Sequence, residues 1–208
     1  MQRVIAYIDG FNLYFGLKSK GWRRYYWLNQ QILVQNLLKP HHQLVFTKYF
    51  TARIAGPADK QKRQNTYLEA LATLPDFQIY FGKYQNISRK CNRCGFEDEV
   101  PNEKMTDVNI AVELLSDAFQ ERYDTAFLIS ADSDLVPPIK RIRLLFPEKN
   151  IIIAFPPDRF SKELDKHARS TFTIGRANIA KSLFPQEVEK ADGYILICPE
   201  RWRPENKS

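Results

Sequence analysis

Four runs of apolar, β-branched residues recur along the chain: "VIAYI" at 4–8, "LVFTKYF" at 44–50, "AFLIS" at 126–130 and "IIIAF" at 151–155. The first, third and fourth are apolar at consecutive positions, so both faces of these strands need cover, as in a parallel sheet between two helical layers. Between the runs the pattern changes to steps of three and four. "NQQILVQNLL" (29–38) and "PADKQKRQNTYLEALATL" (57–74) predict helices, the second with Pro57 near its start, where a missing N–H costs nothing. "TDVNIAVELLSDAFQERY" (106–123) predicts the clearest helix, with Val108, Ala111, Val112, Leu115 and Phe119 on one stripe and Thr106 placed as its N-cap. Strands alternating with helices imply a three-layer α/β/α fold with a central, mainly parallel sheet and right-handed crossovers.

One region breaks the alternation. "FQIYFGKY" (77–84) predicts a further strand, after which "QNISRKCNRCGFEDEVPNEKM" has little apolar content and reads as an insertion over about 85–103. Beyond Pro185 only "YILIC" is apolar, so a tail over 186–208 either adds an edge strand or stays loose. A chain of 208 residues with 44% hydrophobic positions suits one α/β domain, here 1–185, better than two.

The charge balance adds a partner class. Lys and Arg number 31 against 24 Asp and Glu, a net +7, which suits a polyanion such as nucleic acid without requiring one. No apolar run approaches the roughly 18 residues of a transmembrane helix, and "MQRVIAYIDGFN" lacks the features of a signal peptide. A cytoplasmic protein with no membrane partner is the expectation. Three cysteines, an odd number, argue against a disulfide framework.

Ligands of an open parallel sheet bind beyond the carboxyl ends of its strands, where the strand order reverses. Asp9 directly follows the first run, and Asp132 follows the third with Ala131 between them. If these strands are the two central ones, their aspartates face each other. Asp107 joins from the first turn of its helix and Asp134 lies two residues past Asp132. Each taken alone reads more readily as an ordinary turn or helix-start acid. Together they repel, so that one pKa rises or a cation enters, and a hard divalent ion such as Mg²⁺ or Mn²⁺ is the natural occupant.

These motifs carry a resemblance. "VIAYIDGFNLYFG", "EKMTDVNIAVELL" and "FLISADSDLVPPI" resemble the three acidic motifs of the NYN domain family, a branch of the PIN-like metal-dependent ribonucleases that includes the LabA-like proteins. "FPPDRFSKELDKHARSTFTI" is similar to the family's last strand and helix. The resemblance implies a PIN-like, Rossmann-like domain with Asp9, Asp107, Asp132 and Asp134 as catalytic and metal-binding residues. It places Asn12 beside Asp9, and it implies that Ser130 and Ser133 orient Asp132 or touch a phosphate. Lys104 stands near enough to Asp107 to help hold one. The implied reaction is hydrolysis of RNA, single-stranded or looped, and the resemblance leaves room for a homodimer. Where the family has Gly and an aromatic in its third motif, this chain has Ala131 and Leu135. A non-catalytic RNA-binding or regulatory module on the same fold is therefore the alternative reading. A HAD-like phosphotransferase ranks last, because position 11 is Phe and not a second aspartate.

Two further stretches bear on binding. "KSKGWRRYYW" (18–27) interleaves cations, Arg23 and Arg24 among them, with Trp22, Tyr25, Tyr26 and Trp27, and reads equally as an RNA-stacking surface or as core aromatics beside solvated cations. "KRIR" (140–143) reads as a solvated helix face or a phosphate contact. "CNRCG" offers Cys91 and Cys94 as half of a structural zinc site, with no second pair at a usual spacing; Cys198, His41 and His42 are distant in sequence. His167 reads as a surface helix residue.

Overall fold

The computed structural model describes residues 1–90 and 93–203, and the backbone alone over 84–89 and 98–103. Its centre is a six-stranded, all-parallel sheet of β1 (Gln2–Asp9), β2 (His42–Thr51), β3 (Phe77–Phe81), β6 (Thr125–Ile129), β7 (Asn150–Phe155) and β8 (Ser170–Thr173), in the order β3-β2-β1-β6-β7-β8. From β1 the chain winds outward to β2 and β3, then returns to the centre and winds the other way. The reversal falls between β1 and β6, where Ile8 stands beside Ile129 in register.

Residues alternating along β1 feed two cores. Val4, Ala6 and Ile8 pack with Leu13 and Leu17 of α1 (Gly10–Ser19), Leu33 of α2 (Gln30–Leu37) and Leu71 of α3 (Ala58–Leu71). Ile5 and Tyr7 pack on the opposite face with Ile110 and Leu114 of α4 (Thr106–Phe119), Ile139 and Ile142 of α5 (Val136–Leu145) and Leu164 of α6 (Lys162–His167). The period of two in the strand thus meets a helical stripe on each side, giving the three layers.

The predicted helix at 106–123 forms but presents a different face. It buries Thr106, Ile110, Leu114, Asp117 and Ala118, while Val108, Val112 and Phe119 are 62, 53 and 63% exposed. The reason is a cation inside the sheet. Lys48 of β2 is 1% exposed, and its Nζ lies 2.5 Å from both Glu113 Oε2 and Asp117 Oδ2. Tyr7 donates to the same Asp117 oxygen at 2.6 Å, and Arg122 reaches the other at 3.1 Å. A buried ammonium without such partners would cost several kcal/mol, roughly, so α4 turns its acids inward and its valines out. The cap differs as well: Met105, at φ 81°, precedes the helix, and Thr106 is its first residue, with a buried hydroxyl that no described group satisfies.

The stretch that breaks the alternation contains an antiparallel ribbon of β4 (Lys83–Lys90) and β5 (Glu97–Lys104), separate from the main sheet. Cys91 lies outside the described residues and Cys94 is exposed. After α7 (Arg176–Ala180), the described part of the segment beyond Pro185, through Arg203, is neither a main-sheet edge strand nor loose. It makes its own ribbon, β9 (Glu187–Glu189) with β10 (Ile195–Ile197), and sends Val188, Leu196 and Cys198 into the core. Among the described residues, no helix is long and apolar enough to cross a membrane.

Candidate active site

Asp9 is the last residue of β1 and the N-cap of α1, only 4% exposed. One carboxylate oxygen accepts from the Asn12 amide at 2.9 Å, as an N-cap does, and the other from the Ser130 hydroxyl at 3.0 Å. Gly10 follows because β2 passes close by: a Cβ there would sit 2.5 Å from the Tyr49 hydroxyl and 2.8 Å from the Phe50 carbonyl oxygen. Across the switch point, the Ser130 hydroxyl also accepts from the Asp132 amide at 3.0 Å, and Asn12 Oδ1 accepts from the Ala131 amide at 3.3 Å. The ends of β1 and β6 are thus stitched together by side chains. Asp132 caps a short 3₁₀ turn, Ser133–Leu135, by accepting from the Asp134 amide at 3.0 Å.

The four aspartates act on one another electrostatically. Burial, followed by the charges of Asp107 and Asp132, pushes the Asp9 carboxyl up to about 6, against the pull of the Asn12 and Ser130 hydrogen bonds. Half-buried Asp107, in the first turn of α4, also rises to about 6, through desolvation and then through Asp132 and Asp134. The end of β1, the first turn of α4 and the turn after β6 therefore direct negative charge toward one another. As they stand, no three His, Cys, Asp or Glu side chains among the described residues form a group able to hold a metal ion. Asp9 and Asp107, whose proton affinity is raised, together with the oxygen donors of Asp132 and Asp134 and the unsatisfied Thr106 hydroxyl next to Asp107 in the chain, nevertheless suit a hydrated Mg²⁺ or Mn²⁺, which needs only one or two direct carboxylates.

Other expected contacts fall differently. Ser130 is fully buried, so its hydroxyl serves Asp9 and is closed to a phosphate, whereas Ser133 and Lys104 are exposed. Arg23 and Arg24 lie beyond the far end of α1, a ten-residue helix about 15 Å long, away from the acids. The aromatics around them are core: Tyr25 and Trp27 are 4 and 2% exposed, Trp27 and Tyr26 pack against Trp202, and the Tyr25 hydroxyl accepts from Arg24 and Arg176. Arg143 of the "KRIR" stretch donates to the His167 carbonyl at the end of α6. Cys198 is buried in the core and the His41 ring stands edge-on to His42, and among the described residues neither joins Cys94 in a group of three or more ligands. The two departures in the third motif are absorbed. Ala131 is not among the residues with positive φ, so its Cβ brings no strain, and Leu135 is fully buried in the second core.

Residues 3–175 match the NYN domain. The chain belongs to the NYN domain family. That family is part of the PIN-like nuclease superfamily, and NYN and PIN-like nucleases generally use divalent metals. Among curated proteins, this NYN chain is 29% identical over 175 residues to 6-hydroxy-3-succinoylpyridine 3-monooxygenase HspA of Pseudomonas putida. The match covers 68% of the chain but only 55% of HspA, so the NYN chain spans about half of that relative's length. Among solved structures, a protein of unknown function from Vibrio parahaemolyticus, VPA0982, superposes with a TM-score of 0.56 at 18% identity. It covers 88% of this chain and 96% of that one, which shows the shared fold alone.

Sequence reasoning missed a set of exposed rings at this edge of the sheet. Tyr14, Phe15, Phe81 and Phe160 are 39, 39, 43 and 64% exposed; Phe81 ends β3, Phe160 lies in the loop after β7, and Tyr14 and Phe15 lie on α1, which leaves the end of β1. The four-residue spacing of Phe11 and Phe15, whose rings stack at 6.2 Å, was the available signal.

Proposed function

We propose that this protein is a ribonuclease that hydrolyses RNA phosphodiester bonds at the acidic pocket, with a divalent metal ion as cofactor. The observation that carries the reading is the convergence of Asp9, Asp107, Asp132 and Asp134 at the switch point, where Asp9 and Asp107 are held near a pKa of about 6 by burial and by their neighbours' charges.

Asp9, Asp107 and Asp132 are the residues that would hold the ion, with Asp134 as a further ligand or as the group that positions water. When bound, such an ion polarises a phosphoryl oxygen and lowers the pKa of a coordinated water. The chain's own residues supply the geometry. Ser130 and Asn12 fix both oxygens of Asp9, so the carboxylate cannot rotate away. Lys104, just before Met105 and Asp107, is exposed and free to neutralise a phosphate oxygen. In-line attack by water then leaves a 5′-phosphate and a 3′-hydroxyl.

The name of the Pseudomonas relative suggests a second reading, action on a small heteroaromatic ring, for which the exposed Phe15 offers a stacking face. The two separate in one assay. Metal-dependent cleavage of a labelled single-stranded RNA, lost in Asp132→Asn, supports the nuclease; saturable binding of a hydroxypyridine with no cleavage under Mg²⁺ or Mn²⁺ supports the other.

A further inference from the structure

Strand ends, loops and the helix that leave the carboxyl edge of the sheet carry charge or rings, with the acids between two groups of rings and cations. At one side β3 ends on Phe81, and Arg53, two residues past β2, places its guanidinium 5.0 Å from the Phe81 ring centroid. Arg53 is held there by a 2.7 Å hydrogen bond to Asn65. The acids occupy the centre, at β1 and β6. On the other side Phe15 of α1 has Lys18 at 5.7 Å and Arg159 at 5.9 Å from its ring centroid, and Phe160, next in the loop after β7, stands edge-on to Phe155 at 4.9 Å.

This second group is locked in place. Gly16 lets α1 press on the β7 loop, since a Cβ there would lie 2.5 Å from the Pro157 carbonyl oxygen, and Lys20 pairs with Asp158 at 2.7 Å. An exposed ring with a cation over its face is a poor way to bury apolar area. It is a good way to receive a nucleotide, because the ring stacks the base and the cation meets the phosphate.

We infer that the carboxyl edge is a track for single-stranded RNA, with Arg53–Phe81 and Phe15–Lys18–Arg159–Phe160 as stacking stations on opposite sides of the acidic centre. From β3 to β7 is four strand spacings of about 4.8 Å, about 19 Å in all, enough for several nucleotides. A duplex keeps its bases stacked on one another and has no face to offer the rings, so the track selects unpaired strands. Stations on both sides mean that the strand continues past the cutting centre in both directions, so the cut is internal. The inference rests on the nuclease reading for the identity of the centre, but on different residues.

Binding is measured by fluorescence anisotropy of a dye-labelled 12-mer oligouridylate in the Asp132→Asn background. Two further pairs of changes, Arg53→Ala with Phe81→Ala and Phe15→Ala with Phe160→Ala, each remove one station. Each pair should weaken binding about tenfold or more, given the usual worth of a stacked base, while Phe15→Tyr with Phe160→Tyr retains it. A blunt RNA duplex should bind more weakly and respond little to either pair. Unchanged binding of the 12-mer by both alanine pairs would overturn the track. The wild type should also cut a circular single-stranded RNA, which has no ends; degradation of a linear RNA with the circle left intact would overturn the two-sided arrangement. If no RNA is cut but both pairs still weaken binding, the track stands and the nuclease reading fails.

Discussion

The Ser130 hydroxyl donates to the Asp9 carboxylate at 3.0 Å and accepts the Asp132 amide at the same distance, so one buried side chain sets the spacing of the two central acidic motifs. Ser130→Ala removes both bonds without adding bulk. Stability should fall by about 1–3 kcal/mol, the range for lost hydrogen bonds to a buried charged group. RNA cleavage should fall further than the loss of folded protein accounts for. Urea unfolding alongside a cleavage assay separates the two effects, and wild-type values for both would show that Ser130 positions nothing.

The acidic pocket should make the metal-free protein less stable as pH rises. Asp9 and Asp107 ionise near 3.8 when unperturbed and near 6 in the fold, so the folded state binds their protons more tightly. Their stabilisation is complete below about pH 4 and is lost as pH climbs through 6, by about 3 kcal/mol for buried Asp9 from its shift of about two units. Asp9→Asn lacks this titration. In EDTA, its stability relative to the wild type should therefore improve between pH 4.5 and 7.5, and a flat difference would contradict the assigned burial. Mg²⁺ or Mn²⁺ should raise the wild type's Tm at pH 7.5 and much less at pH 5, where protons compete for the same oxygens.

Lys48 fixes the orientation of α4 and through it the position of Asp107. Lys48→Met leaves Asp117, 1% exposed, without its buried cation and should cost about 3–5 kcal/mol. Adding Asp117→Leu should recover part of that loss, because the uncompensated carboxylate is gone. Thermal denaturation of the single and double variants decides it; a double variant less stable than Lys48→Met would rule out charge burial as the cause.

Gly16 controls the contact between α1 and the β7 loop. In Gly16→Ala the Cβ meets the Pro157 carbonyl oxygen at 2.5 Å and Pro156 Cβ at 3.0 Å, so the loop bearing Arg159 and Phe160 must move. The strain should cost about 1–3 kcal/mol, with weaker binding of single-stranded RNA. Calorimetric melting and anisotropy provide the two readouts.

The central sheet was legible in the sequence because a strand covered on both faces has few alternatives, and "VIAYI", "AFLIS" and "IIIAF" each took that role. With those strands central, Asp9 and Asp132 met at the switch point as their positions implied. The face of α4 was not legible. Its sequence carries two apolar stripes at helical spacing, and the choice between them was made by Lys48, 65 and 69 residues before the two acids it pairs with, a long-range charge that no local pattern reports. The aromatic run at 22–27 left two readings open, and the structure takes the core one. Its rings are claimed by Trp202 and Phe184 of the C-terminal part, while the exposed rings sit on α1 and in strand-end loops where composition gives no warning.

The most direct test incubates the purified protein and its Asp132→Asn variant with a labelled single-stranded RNA, with Mn²⁺, with Mg²⁺ and with EDTA. The acidic pocket predicts cleavage by the wild type only when a divalent ion is present, and none by the variant. Equal cleavage by both proteins, or cleavage that survives EDTA, would contradict it.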